Sequence, residues 1–264
     1  MAVTGFQREL CGLIATNRIS LGTSYVAGGV ALNTLIEAGR ISRDTDIFHD
    51  TGEAVLAAWE ADRSLLEAHG YRMEPTRALP SFLEALVRKV QNAVAVQWAR
   101  DSAFRFFPLV EDPTFGLTLH PFDLATNKVL AMAGRLETRD WIDVMACHGR
   151  IQNLGYLVWA ACGKDPGFSP GSLIAEARRG GRYSAEEIAL LSFEGPPPDA
   201  AVLGRNWHSM LKEAERIIDL LPASEVGTCV IDRNGELFRG DPASLGAALS
   251  ASDLRFRRGT IHGA

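Results

Sequence analysis

Two carboxylates spaced to share a cation are the first residues here whose types suit chemistry. Asp44 and Asp46 lie in "DTDIF", and the pair Gly28-Gly29 ends fifteen residues before the first of them. Side chains of an extended segment alternate faces, so Asp44 and Asp46 point the same way. They stand about 6.6 Å apart along a strand that rises roughly 3.3 Å per residue, which suits one or two cations between them. Hard carboxylate oxygens favour Mg²⁺, which is typically shared with substrate phosphates. Gly-Gly lets a backbone turn approach such phosphates, whose charge is favoured at a helix N-terminus. Alone, an Asp-x-Asp is an ordinary solvated strand edge and a Gly-Gly an ordinary turn. Their order and spacing together point to a metal-and-phosphate site.

A second segment, Asp123 to Met145, brings in basic residues. Lys128 and Arg135 lie seven apart, two helical turns, and so share a face. A lysine and an arginine so placed suit a triphosphate. Asp140 and Asp143 lie three apart on the next helix. Taken by itself the segment reads as an exposed stripe, with Arg139 and Asp143 as an i,i+4 ion pair.

Other chemical signatures fail. "GFSPG" (167–171) has the GxSxG pattern of a hydrolase nucleophile, but the oxyanion hole needs the N–H after the serine. Pro170 has none. Ser169 is better placed as an N-cap, with Pro170 at the first helical position. "CGKDPG" lacks the GxxxxGK[ST] of a phosphate loop, and HExxH and GxGxxG are absent. The six histidines are scattered without ligand spacing.

The elements that must position these residues follow from periodicity. Residues 5–17 have helical apolar spacing. "TSYVAGG" reads as a strand feeding a helix to about Ala38, and "DTDIF" as a strand. Asp50 with Glu53 reads as a capping box opening a helix that stops at Gly70. "YRMEP" reads as a strand, "SFLEALVRKV" as a helix, and "NAVAVQWA" and "GLTLH" as strands. From Phe122 helical patterns follow one another, with "GPPPD" (195–199) as a rigid connector before the longest. Asn234-Gly235 marks a C-terminal hairpin turn, and the tail with "RFRR" (255–258) reads as loose. The fold class is α+β, with an α/β core over 1–121, a helical domain over 122–223, and a hairpin and tail over 224–264.

Composition narrows the class further. The 264 residues are 47% hydrophobic and 22% charged, ordinary for a globular protein. A net charge of −5 argues mildly against a general nucleic-acid binder and is compatible with a local basic groove. Four scattered cysteines without a CxxC fit reduced thiols rather than disulfides or zinc. The N-terminus lacks a signal-peptide layout, and no run approaches the roughly 18 apolar residues of a membrane span. These features point to a cytoplasmic protein with no membrane partner.

Together the two charged segments resemble the polymerase-β-type nucleotidyltransferase superfamily. They resemble most its bacterial AbiEii-like branch, which includes toxins of toxin–antitoxin and abortive-infection systems. The residues that carry the likeness are Gly28-Gly29, Arg40, Ser42, Asp44 and Asp46, then Lys128, Arg135, Arg139, Asp140 and Asp143. The stretches that contain them cover roughly a sixth of the chain. The resemblance implies a mixed-sheet nucleotidyltransferase core followed by helices. It also implies Mg²⁺ on Asp44 and Asp46, and nucleotide at Gly28, Gly29, Ser42, Lys128 and Arg135. Asp143 would have a supporting or catalytic role. NTP is the implied substrate. An RNA end is weakly favoured as acceptor by "RRGGR" (178–182) and "RFRR", with a protein or small molecule as alternatives, and a cognate antitoxin is an implied partner. One position departs from the pattern. The superfamily's third carboxylate belongs on a neighbouring strand, where this chain has Gln97, and glutamine neither takes a proton nor binds Mg²⁺ strongly. Either Asp143 substitutes, or the site is weak, or the chain is a degenerate nucleotide- or partner-binding protein.

Overall fold

The computed structural model describes residues 3–179 and 183–262. Gly180, Gly181 and Arg182 of the basic "RRGGR" stretch lie outside the described residues. The chain divides into two compact units, residues 1–120 with 261–264, and residues 121–260.

The first unit is built on a seven-stranded sheet. Its strands are β1 (Ser24–Ala27), β2 (Asp44–His49), β3 (Arg72–Leu79), β4 (Phe82–Lys89), β5 (Asn92–Arg100), β6 (Val110–Asp112) and β7 (Gly116–Thr118). They lie in the order β3-β4-β5-β2-β1-β7-β6. β2 runs parallel to β5 and β1 parallel to β7, while the other neighbours are antiparallel, so the sheet is mixed. The helices of this unit are α1 (Gly5–Leu21), α2 (Gly28–Leu35) and α3 (Gly52–Ala68).

Strict alternation divides the sheet into two faces. Thr45, Ile47 and His49 of β2, Leu83, Ala85 and Val87 of β4, and Val94, Val96 and Trp98 of β5 are buried. α1 and α3 pack on each other and on the strands. Trp98 meets Trp59 of α3 edge-on, with ring centroids 4.9 Å apart, and donates its indole N–H to Asp62 at 2.8 Å. Asp62 also pairs with Arg18 of α1, so one buried carboxylate ties both helices to the sheet. The opposite face carries Asp44, Asp46, Phe48, Glu84 and Gln97, all half-buried.

Two local expectations are corrected here. "SFLEALVRKV" is not a helix but strand β4, paired along its length with β3 and β5. Leu83, Leu86 and Val87 fit a helical stripe, yet Leu83, Ala85 and Val87 fit the alternating face equally well, and pairing on both sides decides between them. The cap of α3 is Thr51, whose hydroxyl accepts the Ala54 N–H at 3.2 Å. Asp50 is instead buried against Arg105 at 2.6 Å, because a buried guanidinium outcompetes a helix end for its charge.

The second unit contains α4 (Pro121–Arg135), α5 (Thr138–Arg150), α6 (Leu154–Lys164), α7 (Pro170–Arg179), α8 (Ala185–Ala189), α9 (Ala200–Leu220) and α10 (Pro242–Ser250). α6 is buried along most of its length, as its nearly continuous apolar sequence requires. The Ser169 hydroxyl accepts the Ser172 N–H at 3.1 Å and Pro170 opens α7, so "GFSPG" is a helix start. The C-terminal hairpin turns at Gly235 (φ +86°), where Asp232 accepts the Asn234 and Glu236 N–H groups. The expected loose tail is corrected to a strand: β9 (Leu254–Arg257) pairs antiparallel with β8 (Cys229–Asp232). Leu254 and Phe256 pack on the cluster of Tyr156, Trp159, Ile217 and Val230, and that burial orders the segment.

Candidate active site

The first charged motif is assembled within the first unit. β1 ends at Ala27, which pairs with Asp46 of β2. Gly28 then takes φ +66°, a left-handed turn that starts α2. A Cβ on Gly28 would run into the Asp46 carboxylate, so the bare backbone is what lets that carboxylate sit against the turn. At Gly29 a Cβ would lie 2.6 Å from Arg40 Nη2 and 3.0 Å from Ser42 Oγ. The glycine pair therefore forms a tight cradle for Asp46, Arg40 and Ser42. Arg40 and Ser42 are buried. Ser42 Oγ donates to the Asp44 carbonyl at 3.4 Å, and its own carbonyl accepts from Gln7 of α1 at 3.1 Å. Asp44 and Asp46 share the half-buried face, as the alternation predicts. The N-cap residue of α2, Ala27, makes no side-chain cap hydrogen bond.

Two carboxylates are a sufficient protein share for Mg²⁺, which keeps waters and takes phosphate oxygens for its remaining positions. Among the described residues no group of three or more His, Cys, Asp or Glu side chains is gathered as a metal cage. The donor set thus fits a cation shared with a substrate and not an all-protein site. The cysteines offer no nucleophile: all four are buried, and burial pushes Cys11 up to about 12 and Cys162 up to about 11. His49, behind the carboxylates on the core face, is pushed down to about 3 by burial and by Arg18. It is held neutral and serves as core.

The second charged motif is assembled within the second unit. Lys128 Nζ lies 2.8 Å from Asp140 and 3.0 Å from Asp143. Its side chain is 8% exposed and both carboxylates are fully buried. Arg135 forks onto Asp140 from the other side, donating from Nε at 3.0 Å and Nη2 at 3.1 Å. Arg139 pairs with Glu137 at 2.6 Å. Lys128, Arg135, Asp140 and Asp143 are thus a single ion network. Arg178 and Arg179, the described arginines of the basic stretch, pair with Glu215 and Glu176.

Gln97 stands where the resemblance requires a carboxylate, in register with Asp46 on one side and Glu84 on the other. Its amide donates to Glu84 Oε2 at 2.9 Å. Glu84 was hidden in the sequence by the helical reading of its segment. The strand signal that reveals it is the alternation of Leu83, Ala85 and Val87.

Neither a protein-family profile nor a curated protein matches the sequence. Solved structures do. MenT4, a nucleotidyltransferase toxin of Mycobacterium tuberculosis H37Rv, superposes with a TM-score of 0.52 at 17% identity, over 83% of this chain and 87% of that one. JHP933 of Helicobacter pylori superposes with a TM-score of 0.52 at 14% identity, over 82% of this chain and 95% of that one. With its mixed seven-stranded sheet, its helices and the hairpin near its end, the chain shares the fold of these solved structures, the nucleotidyltransferase toxin MenT4 among them.

Proposed function

We propose that the chain is a nucleotidyltransferase that moves a nucleoside monophosphate from an NTP to an acceptor hydroxyl. The observation that carries this reading is the seating of the Asp46 carboxylate against the left-handed Gly28 turn, with Asp44 on the same face. Asp44 and Asp46 would hold Mg²⁺. When bound, that ion neutralises phosphate charge and stabilises the charge that develops as the α-phosphorus is attacked. The acceptor hydroxyl oxygen bonds to the α-phosphorus as its proton passes to solvent water, the bond from that phosphorus to the β-bridging oxygen breaks, and pyrophosphate leaves with the bonding pair. Gly28 and Gly29 offer close backbone approach to the phosphates, and Ser42 and Arg40 brace the turn. Lys128 and Arg135 are assigned to the triphosphate on the resemblance, with Asp140 and Asp143 setting the direction of the lysine. Asp143 faces an ammonium at 3.0 Å, which favours a supporting role over that of a base.

The likeness to MenT4, which is a nucleotidyltransferase toxin, supports a toxin reading with a cognate antitoxin. An RNA end is the acceptor we favour. Among the described residues no helix is long and apolar enough to cross a membrane, and the reading places the protein in the cytoplasm. Gln97 favours a second reading, a nucleotide-binding protein without turnover. Incubation with NTP labelled at the α position, beside Mg²⁺-dependent nucleotide binding, tests both. Transfer of label supports the enzyme, and binding without transfer from any of the four NTPs supports the alternative.

A further inference from the structure

The row Asp46, Gln97, Glu84 runs straight across three strands on the half-buried face. Its outer end is tied down twice. Gln97 Nε2 donates to Glu84 Oε2 at 2.9 Å, and the Thr76 hydroxyl donates to Glu84 Oε1 at 2.6 Å. Thr76 reaches Glu84 because β3 bulges between Pro75 and Arg77, where the register with β4 shifts by one residue. A bulge re-aims the side chain it carries, and here it aims a hydroxyl at the carboxylate.

A carboxylate only accepts, so the group facing Glu84 must be the amide nitrogen of Gln97. The amide oxygen is then left for a partner other than Glu84. The strand on the flank of Gln97 opposite β4 is β2, with Asp46 in register. We propose that Glu84 is a positioning residue: it holds Gln97 so that the amide oxygen faces the Asp46 side of the sheet, where it accepts a hydrogen bond from the attacking hydroxyl of the acceptor. Glutamine takes no proton in this role. It orients the nucleophile, and the adjacent carboxylate strengthens its amide by polarising the N–H. The position that departs from the family pattern is thereby used for aim and not for basicity. This inference rests on the nucleotidyltransferase reading.

The test compares wild type with Glu84→Gln, Gln97→Glu and the double swap carrying both, using α-labelled NTP and total RNA as acceptor at varied concentration. Glu84 and Gln97 are half-buried surface-strand residues, so melting curves are expected to stay close to wild type. Glu84→Gln faces two amides with each other and frees the Gln97 oxygen to rotate. It is expected to raise the acceptor KM or lower acceptor-dependent turnover by about tenfold, the loss of one oriented hydrogen bond, with the KM for NTP unchanged. Gln97→Glu alone sets two carboxylates against each other and is expected to raise the pH at which transfer reaches half its maximum. The double swap restores one amide and one carboxylate in contact and is expected to recover transfer relative to both singles. A purely structural role would instead shift the melting curve and the KM for NTP together with the acceptor KM. Glu84→Gln with unchanged acceptor kinetics, or a double swap no better than the singles, overturns the inference while leaving the enzyme reading intact. Wild type that transfers nothing overturns both.

Discussion

Replacing Gly28 by alanine perturbs the proposed site by one methyl group. The backbone there has φ +66°, and an L side chain in the left-handed region costs about 1–2 kcal/mol. The new Cβ also meets the Asp46 carboxylate, which must leave its rotamer or shift the strand. An off-rotamer side chain costs roughly 0.5–1.5 kcal/mol. Gly28→Ala is therefore expected to lose about 2–3 kcal/mol of stability, a fall in Tm on the order of 5–10 °C. A displacement of about 1 Å at a reacting centre costs roughly 100-fold in rate, so transfer is expected to fall by at least that factor. Gly235→Ala is the control. It has φ +86° and open space around its Cβ, so it is expected to lose about 1 kcal/mol with no change in transfer. Calorimetry and α-label transfer on both variants separate strain from displacement. Gly28→Ala with near wild-type transfer, or with the small stability loss of Gly235→Ala, would refute the claim that this turn seats Asp46.

Lys128→Met removes the ammonium that buried Asp140 and Asp143 both face, and denaturant unfolding is expected to show a loss of about 3 kcal/mol. Arg135 is 47% exposed, so Arg135→Ala is expected to cost under about 1 kcal/mol in the same assay. Equal losses would show that the network is not centred on the lysine. His49, pushed down to about 3 from 6.5, is neutral in the folded protein and takes up a proton on unfolding below its ordinary value. Its contribution is therefore present above pH 6.5 and lost as pH falls toward the folded value. Wild type is expected to lose roughly 2 kcal/mol more than His49→Phe between neutral pH and about pH 5, and parallel pH–Tm curves would contradict this.

The parts of the site legible in the sequence are those whose geometry is local. A period of two places Asp44 and Asp46 on one face whatever lies around the strand. Gly28-Gly29 announces a turn that other residues enter only with strain. A spacing of seven sets Lys128 and Arg135 on one side of α4, and a spacing of three sets Asp140 and Asp143 together on α5. What was hidden depends on distant partners. Leu83, Leu86 and Val87 satisfy a helix as well as a strand, and only pairing with β3 and β5 selects the strand that presents Glu84. Asp50 has the form of an N-cap, but Arg105 claims its charge across 55 residues. Gln97 was visible as a departure, yet the meaning of the departure lies in Glu84, thirteen residues away in sequence and one strand away in the sheet.

Asp44 and Asp46 are proposed to serve attack on the α-phosphorus. The most direct measurement incubates wild type and Asp46→Asn with Mg²⁺, total RNA, and NTP labelled either at the α or at the γ position. With wild type, α-label is expected on the acceptor and γ-label in pyrophosphate. With Asp46→Asn, transfer is expected to vanish while the melting curve is kept. Label reaching the acceptor from the γ position, or full transfer by Asp46→Asn, would contradict that proposal.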